Sequence, residues 1–424
     1  MNVNKFGGAS IKDAQRIENV VEIIKNHIKR PSVVVVSAIG KTTNALEFLH
    51  KHYLIGNSTE AFDTLNQIKS EHYKLCQELF QGSALDHIVN ELNDTFVEIE
   101  WVIEEEISDG PNFIYDQIIS IGELASSKII SAKLKAEGLG AHWLDARDVI
   151  RTDNRYRNAS IEWDETKDLT NQFIPKILEQ HNFCVTQGFI GGTSENFTTT
   201  LGREGSDFTA AIIANCLKAN EVTVWKDVPG IMNADPNLME EAQLLPNISY
   251  DEALAMTYYG AKVIHPKTIK PLMELGIPLR VKSFLNPEAD GTFVGALASE
   301  LKYPSILVHE PKNILIKLTS KDNSFIRERH LAEIFKLMNA SGLVLKLDQN
   351  MPAHLTLCVG DPYANVDRFI KEASDNFNVE LSNEVDLITV RHGDEADILS
   401  QLVGKKILYK MTTQNTIQYV VGES

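Results

Sequence analysis

Residues 1–10, Met1-Asn2-Val3-Asn4-Lys5-Phe6-Gly7-Gly8-Ala9-Ser10, together with the run Val33-Val34-Val35-Val36-Ser37, decide the fold. A short strand ends at Phe6, where Gly7 and Gly8 interrupt it. The spacing predicts a helix from about Ser10, with Asp13 three residues on completing a capping-box-like start. Its apolar residues, Ile17, Val20, Val21, Ile24 and Ile28, recur at helical spacing. The valine run is uninterrupted and β-branched, as in a strand buried on both faces of a parallel sheet. This is a β-α-β unit with its glycines at the carboxyl end of the first strand, where open α/β sheets bind ligands.

Outward from this unit, residues 46–101 read as a helical insertion with no strong strands. Strands are predicted over 183–186, 221–225 and 278–284, with a helix over 207–217. Ser249 and Glu252 cap another helix that stops near Gly260. After Gly295 the pattern changes to strand 313–318, helix 331–338, strands 343–347 and 354–359, helix 366–373 and strand 386–390. That order fits an α+β module with two helices on one antiparallel sheet. Residues 395–421 repeat a helix and two strands, as a second partial copy would.

A chain of 424 residues is too long for one compact domain, and two or three are expected. Its 41 basic against 58 acidic side chains give a formal charge of −17, which opposes nucleic-acid and anionic-membrane partners. No run reaches the roughly 20 apolar residues of a membrane span, and the N-terminus lacks the apolar core of a signal peptide. Cys76, Cys184, Cys216 and Cys358 are scattered without metal-ligand spacing. Free thiols in a cytoplasmic protein, with no protein metal site, are the expectation.

Several short segments could carry chemistry, and each has a bland alternative. Glycines between a strand and a helix start let backbone N–H groups approach an anion, and Lys5 supplies a point charge; such a glycine pair is more often a tight turn. Ser37-Ala38-Ile39-Gly40-Lys41-Thr42-Thr43-Asn44 suits phosphate or carboxylate, or a capped loop. In Gly202-Arg203-Glu204-Gly205-Ser206-Asp207, capping alone accounts for Asp207. It does not account for Arg203, whose charge opposes the positive helix end unless an anion lies there. Lys226-Asp227 opens a loop of suitable length for a nucleotide wall, and Lys262 follows a helix end, where lysine is also common for dipole reasons. Glu123 sits amid apolar residues as either a cap or a receiver for an ammonium group. The chain has no GxxxxGK[ST] loop.

Taken in order, the segments KFGGAS, VVSAIGKTTNAL, SIGE, LGREGSDFTAA, WKDVPGIMNADP and YDEALAMTYYGAKVIHPKT resemble the aspartate kinases of the amino-acid kinase superfamily, over nearly the whole chain. Kinases for acetylglutamate, glutamate, UMP or carbamate share the opening glycines but not the later blocks in this form. The resemblance implies a three-layer α/β/α sandwich around a mainly parallel sheet over residues 1–295. Residues 296–424 would then form a regulatory region with one complete and one partial ACT-like, ferredoxin-like module. It implies transfer of the ATP γ-phosphoryl group to the β-carboxylate of L-aspartate, with Mg2+. The product, 4-phospho-L-aspartate, begins the route towards lysine, threonine and methionine.

By the same resemblance Lys5 would neutralise the phosphoryl group near Gly7 and Gly8, and Asp207 would hold that lysine. Arg203 would grip the substrate α-carboxylate and Glu123 its ammonium group, with Thr43 and Ser206 in the same pocket. Ser37, Lys226, Asp227 and Lys262 would contact the nucleotide. A homodimer through the ACT-like modules is implied, and the lack of a following homoserine dehydrogenase domain implies a monofunctional enzyme.

The chain departs from the family pattern at Ala9 (threonine), Glu204 (glycine), Lys226 (threonine) and Asn237 (arginine). Lys346 stands where lysine-sensitive relatives carry an acid, so weak or absent lysine inhibition is expected. A silent amino-acid sensor is the competing reading. It should have lost one of Lys5, Glu123, Arg203 and Asp207, and all four are present.

Overall fold

The computed structural model describes residues 1–105, 110–239, 241–261, 264–297, 302–394, 402 and 404–423. The chain divides into two compact units that alternate along the sequence. The first is Met1–Ile231, Leu244–Leu254 and Val263–Glu300, and the second Met232–Gln243, Ala255–Lys262 and Leu301–Ser424.

The elements through residue 297 are, in chain order, β1 (Asn2–Phe6), α1 (Ala14–His27), β2 (Ser32–Val36), α2 (Thr42–Leu54), α3 (Ser58–Leu79), α4 (Gly82–Glu104), α5 (Pro111–Ile119) and α6 (Ile121–Ala136). Then come β3 (Ala141–Leu144), α7 (Trp163–Gln180), β4 (Phe183–Gln187), β5 (Ile190–Gly192), β6 (Thr198–Thr200), α8 (Gly205–Leu217) and β7 (Val222–Lys226). β8 (Asn247–Ser249), α9 (Tyr250–Tyr258), α10 (Pro266–Leu275), β9 (Leu279–Ser283) and β10 (Thr292–Gly295) complete them.

Eight strands form one sheet in the order β3-β4-β2-β1-β7-β9-β10-β8. All neighbours are parallel except β9 and β10. α1 and α6 pack together on one face, with α6 against β2, β3 and β4; α7, α8 and α10 pack together on the other, with α8 against β1, β2 and β7. This is the three-layer α/β/α arrangement. Val33, Val34, Val35 and Val36 are each fully buried in β2, every one contributing about 1.5–3 kcal/mol of apolar burial. β1 lies at the centre, between β2 and β7.

The first helix starts later than its sequence suggests. Residues Gly8–Ile11 form a 3-10 turn in which Ser10 Oγ donates to Gly7 O (2.6 Å). Asp13 is the N-cap of α1, accepting from Arg16 N–H at 2.8 Å. Ser249 caps α9 as expected, through Glu252 N–H at 3.1 Å.

In the second unit, β11 (Ile306–Ser320), α11 (Glu328–Ser341), β12 (Val344–Asn350), β13 (Leu355–Gly360), α12 (Val366–Ala373), β14 (Phe377–Arg391), β15 (Lys405–Thr413) and β16 (Thr416–Glu423) build a six-stranded antiparallel sheet. Its order is β12-β13-β11-β14-β16-β15. β11 and β14, each 15 residues long, run through both halves of this one continuous sheet. Irregular pairing between Glu310 and Leu315 separates the two halves of β11. α11 and α12 cover one half through Ile334, Met338, Phe369 and Ala373. Ala234, Met239 and Ala242 pack against Leu307, Ile388, Val390, Tyr419 and Val421 of the other half. The helix expected after Glu395 falls outside the described residues.

Candidate active site

Three close approaches bring the strand ends of the first unit together. A Cβ on Gly8 would lie 2.6 Å from Ala38 O and 3.0 Å from Gly40 O, so only glycine fits there. Two backbone bonds seal that contact, Ser37 N–H to Phe6 O (3.1 Å) and Gly40 N–H to Gly8 O (3.1 Å). A Cβ on Gly122 would lie 2.9 Å from the Ala38 Cβ, so the start of α6 rests on the loop after β2. A Cβ on Gly188 would overlap Ser206 at 2.4 Å, which sets the end of β4 against the start of α8.

At the centre is Asp207, in the first turn of α8 and almost fully buried. Lys5 Nζ, from β1, stands 2.6 Å from its Oδ1, and Lys226 Nζ, from the end of β7, 3.6 Å from its Oδ2. Burial alone would raise this carboxyl. The charges of Lys5 and then Lys226 outweigh burial and hold it below the usual carboxylate range. Two ammonium groups on one carboxylate leave a local excess of one positive charge beside glycine turns and a helix start, which suits an anion.

Glu123, in the first turn of α6, behaves in the opposite way. Desolvation raises its carboxyl to about 8, against weaker pulls from the Ala38 and Glu123 amides and from the charge of Lys5. Oε1 accepts from Ala38 N–H at 3.2 Å, while the buried Oε2 has no hydrogen-bond partner among the described residues. An orphaned acceptor of this kind fits a cationic donor.

The expected residues thus divide. The structure brings Lys5, Asp207 and Lys226 into contact, and a Cβ on Gly7 would lie 3.4 Å from Lys5 Nζ. Gly8, Ser37 and Glu123 adjoin them through the contacts above, and Ser206 through Gly188 and its neighbour Asp207. Thr43 is half-buried in the first turn of α2. Arg203 and Asp227 are exposed and make no ion pair among the described residues, and Lys262 lies outside those residues. The described residues hold no group of three or more His, Cys, Asp or Glu side chains able to take a metal ion.

One buried acid escaped the sequence reading. Asp116, on α5, is fully buried and accepts four hydrogen bonds. Its only sequence signal is a charge inside the apolar stretch Phe113-Ile114-Tyr115-Asp116-Gln117-Ile118-Ile119.

The sequence profile of the amino acid kinase family matches residues 1–283. Among individual proteins, the chloroplastic bifunctional aspartokinase/homoserine dehydrogenase 2 of Arabidopsis thaliana is 30% identical over 383 residues, 89% of this chain and 39% of that protein. Lysine-sensitive aspartokinase 3 of Escherichia coli (strain K12) is 34% identical over 295 residues, 69% of this chain and 63% of that protein. The chain therefore spans less than two thirds of the length of either relative. The crystal structure of E. coli aspartokinase III in complex with aspartate and ADP (R-state) matches with a TM-score of 0.83 at 27% identity, covering 99% of this chain and 96% of that one. The complex of the same enzyme with lysine and aspartate (T-state) gives 0.83 at 26% identity over the same shares.

Proposed function

The chain belongs to the amino acid kinase family, and on that premise we propose that it phosphorylates the β-carboxylate of L-aspartate with ATP. The observation that carries the proposal is the sharing of buried Asp207 by Lys5 and Lys226 at the strand ends. Likeness to a structure that holds aspartate and ADP supports the choice of substrates.

In the proposed reaction a β-carboxylate oxygen of aspartate attacks the γ-phosphorus. The bond from that phosphorus to the bridging oxygen breaks, and 4-phospho-L-aspartate and ADP leave. Lys5 and Lys226 neutralise the phosphoryl oxygens, with Gly7 and Gly8 N–H groups beside them, and Asp207 holds both lysines in place. Glu123 takes the substrate ammonium group and Arg203 its α-carboxylate, with Thr43 and Ser206 lining the pocket. Ser37 and Asp227 face the nucleotide. Mg2+ would arrive on the nucleotide phosphates, which with water supply most of its ligands, and would screen their charge. No protein carboxylate cage is needed for that, and Asp207 is already committed to two ammonium groups.

Residues 1–295 would form the catalytic part and 296–424 the regulatory part. β12 and β15 bound the six-stranded sheet, and pairing of such an edge with a second copy would make the homodimer. No described helix is long and apolar enough to cross a membrane. Four buried free thiols suit a reducing compartment such as the cytoplasm.

The test is an ATP-dependent hydroxamate assay with aspartate, glutamate and N-acetylglutamate as acceptors. Turnover of aspartate alone is expected. Turnover of another acceptor instead would overturn the substrate, and none at all would favour an amino-acid sensor.

A further inference from the structure

We infer that Asp116 is a positioning residue, whose buried carboxylate fastens the two backbone segments that frame the turn at Gly202 and Arg203. The inference rests on the role given to Arg203 above.

The first segment is β6. Thr200 N–H donates to Asp116 Oδ2 at 2.9 Å and Thr200 Oγ1 to Oδ1 at 2.7 Å. Arg203 follows three residues later, and Gly205 N–H closes the turn onto Gly202 O at 3.0 Å as α8 begins. The second segment is the loop before α7. Arg157 N–H is shared between both carboxylate oxygens, at 3.1 and 3.0 Å. Arg157 adopts φ +70°, a left-handed conformation that a non-glycine residue keeps only when its surroundings hold it.

The two segments meet where Arg203 leaves the sheet. Ala159 N–H donates to Thr200 O at 3.0 Å. Gly202, at φ +77°, lies so close that a Cβ would come 2.7 Å from Asn158 Oδ1. Lys267 Nζ ties the same place, donating to Asn158 Oδ1 at 2.5 Å and Leu201 O at 3.4 Å. A slip of the Arg157 loop or of β6 therefore moves the turn that carries Arg203.

The carboxylate is held by neutral donors. The Arg157 guanidinium lies over the Tyr115 ring, 4.1 Å from its centroid, and Tyr115 OH donates to Glu47 at 2.8 Å. A buried carboxylate held this way stabilises the fold less than an apolar side chain of the same size would. What it adds is a geometry fixed by four bonds. Desolvation raises Asp116 to about 6, against the Thr200 and Arg157 bonds and a smaller pull from the Arg157 charge. Below that pH the protonated carboxyl loses an acceptor and loosens the frame.

The test compares full-length wild type with T200V, T200S and D116N. T200V should raise KM for aspartate about tenfold, leave KM for ATP unchanged, and shift the acidic rise in aspartate KM to higher pH. T200S should restore wild-type behaviour, and D116N should remove the component of the acidic rise that falls near pH 6 while leaving the component set by Glu123 near pH 8. Where D116N fails to fold, the threonine pair decides alone. An unmoved aspartate KM in T200V, a parallel rise in ATP KM, or failure of T200S to restore would overturn the inference. Wild-type acceptor choice is measured first. Should another acid be the acceptor, the proposed substrate fails and the variants are compared on that acid. Should none turn over, calorimetric aspartate binding replaces KM.

Discussion

At the scale of single residues, two acids in one cluster of loops are driven apart by their surroundings: Asp207 down by two lysines, Glu123 up to about 8 by desolvation. A substrate ammonium needs Glu123 charged, so aspartate binding near neutral pH should release a proton. The neutral form of Glu123 stabilises the fold fully below its ordinary 4.5, and that contribution is lost as pH rises through about 8. E123Q keeps the shape and removes the charge. It should match or exceed wild-type stability at pH 9 in urea unfolding while its aspartate KM rises at least tenfold. Lower stability at pH 9 would show that the charged carboxylate does not destabilise the fold, so that burial does not raise it. Lys226 stands where relatives carry threonine, yet reaches Asp207. Returning it to threonine should lower kcat/KM for ATP about tenfold, the size of one charge-assisted hydrogen bond, and an unchanged value would remove Lys226 from the site. Lys5, Glu123 and Asp207 were legible because each lies within two residues of a glycine in a compact motif. Asp116 was not, because its partners lie 41 and 84 residues away.

At the scale of elements, the turn into α8 shows what a departure from the family pattern does. Glu204 is the N-cap of α8 at φ +55°, ψ +26°, left-handed backbone where the family has glycine, and its buried Oε2 has no hydrogen-bond partner among the described residues. The strain of a side chain in that conformation exceeds the entropy that glycine would add to the unfolded chain. E204G should therefore stabilise the protein by about 1 kcal/mol in urea unfolding with activity retained. A loss of stability would mean that the Glu204 side chain makes up for its backbone. β1, β2, β4, β7 and β9 of the large sheet and the helix α1 were readable from the valine run, the β-branched stretches and helical periodicity, whereas β3, β8 and β10, of only three or four residues each, were not. Boundaries were less so, since the sequence does not separate a 3-10 turn from a first α-helical turn at Gly8–Ile11. β11 read as six residues because the polar stretch His309-Glu310-Pro311-Lys312-Asn313 hides a strand of 15.

At the scale of the whole chain, the two compact units alternate, with residues 232–243 and 255–262 grouped with the C-terminal sheet. The composition change near residue 295 is visible in sequence. The earlier segments are not, because Ala234, Met239 and Ala242 look like ordinary loop residues until their apolar partners, some 65 to 190 residues later, are known. On the proposed function, the same unit would carry feedback control. Sequence alone suggested that Lys346 would repel a lysine effector. In the structure Lys346 Nζ stands 2.5 Å from Glu310 Oε1, so its charge is largely answered and repulsion is the weaker argument. The stronger one is competition. Were a lysine from solution to use Glu310, the carboxylate nearest that position, it would have to displace a side chain already tethered beside it, whose effective concentration is on the order of millimolar or more. Wild-type activity should therefore hold in millimolar lysine, whereas K346A, with Glu310 released, should become measurably sensitive. Strong inhibition of the wild type would show either that the tethered side chain yields or that lysine acts elsewhere, and identical inhibition of K346A would single out the second.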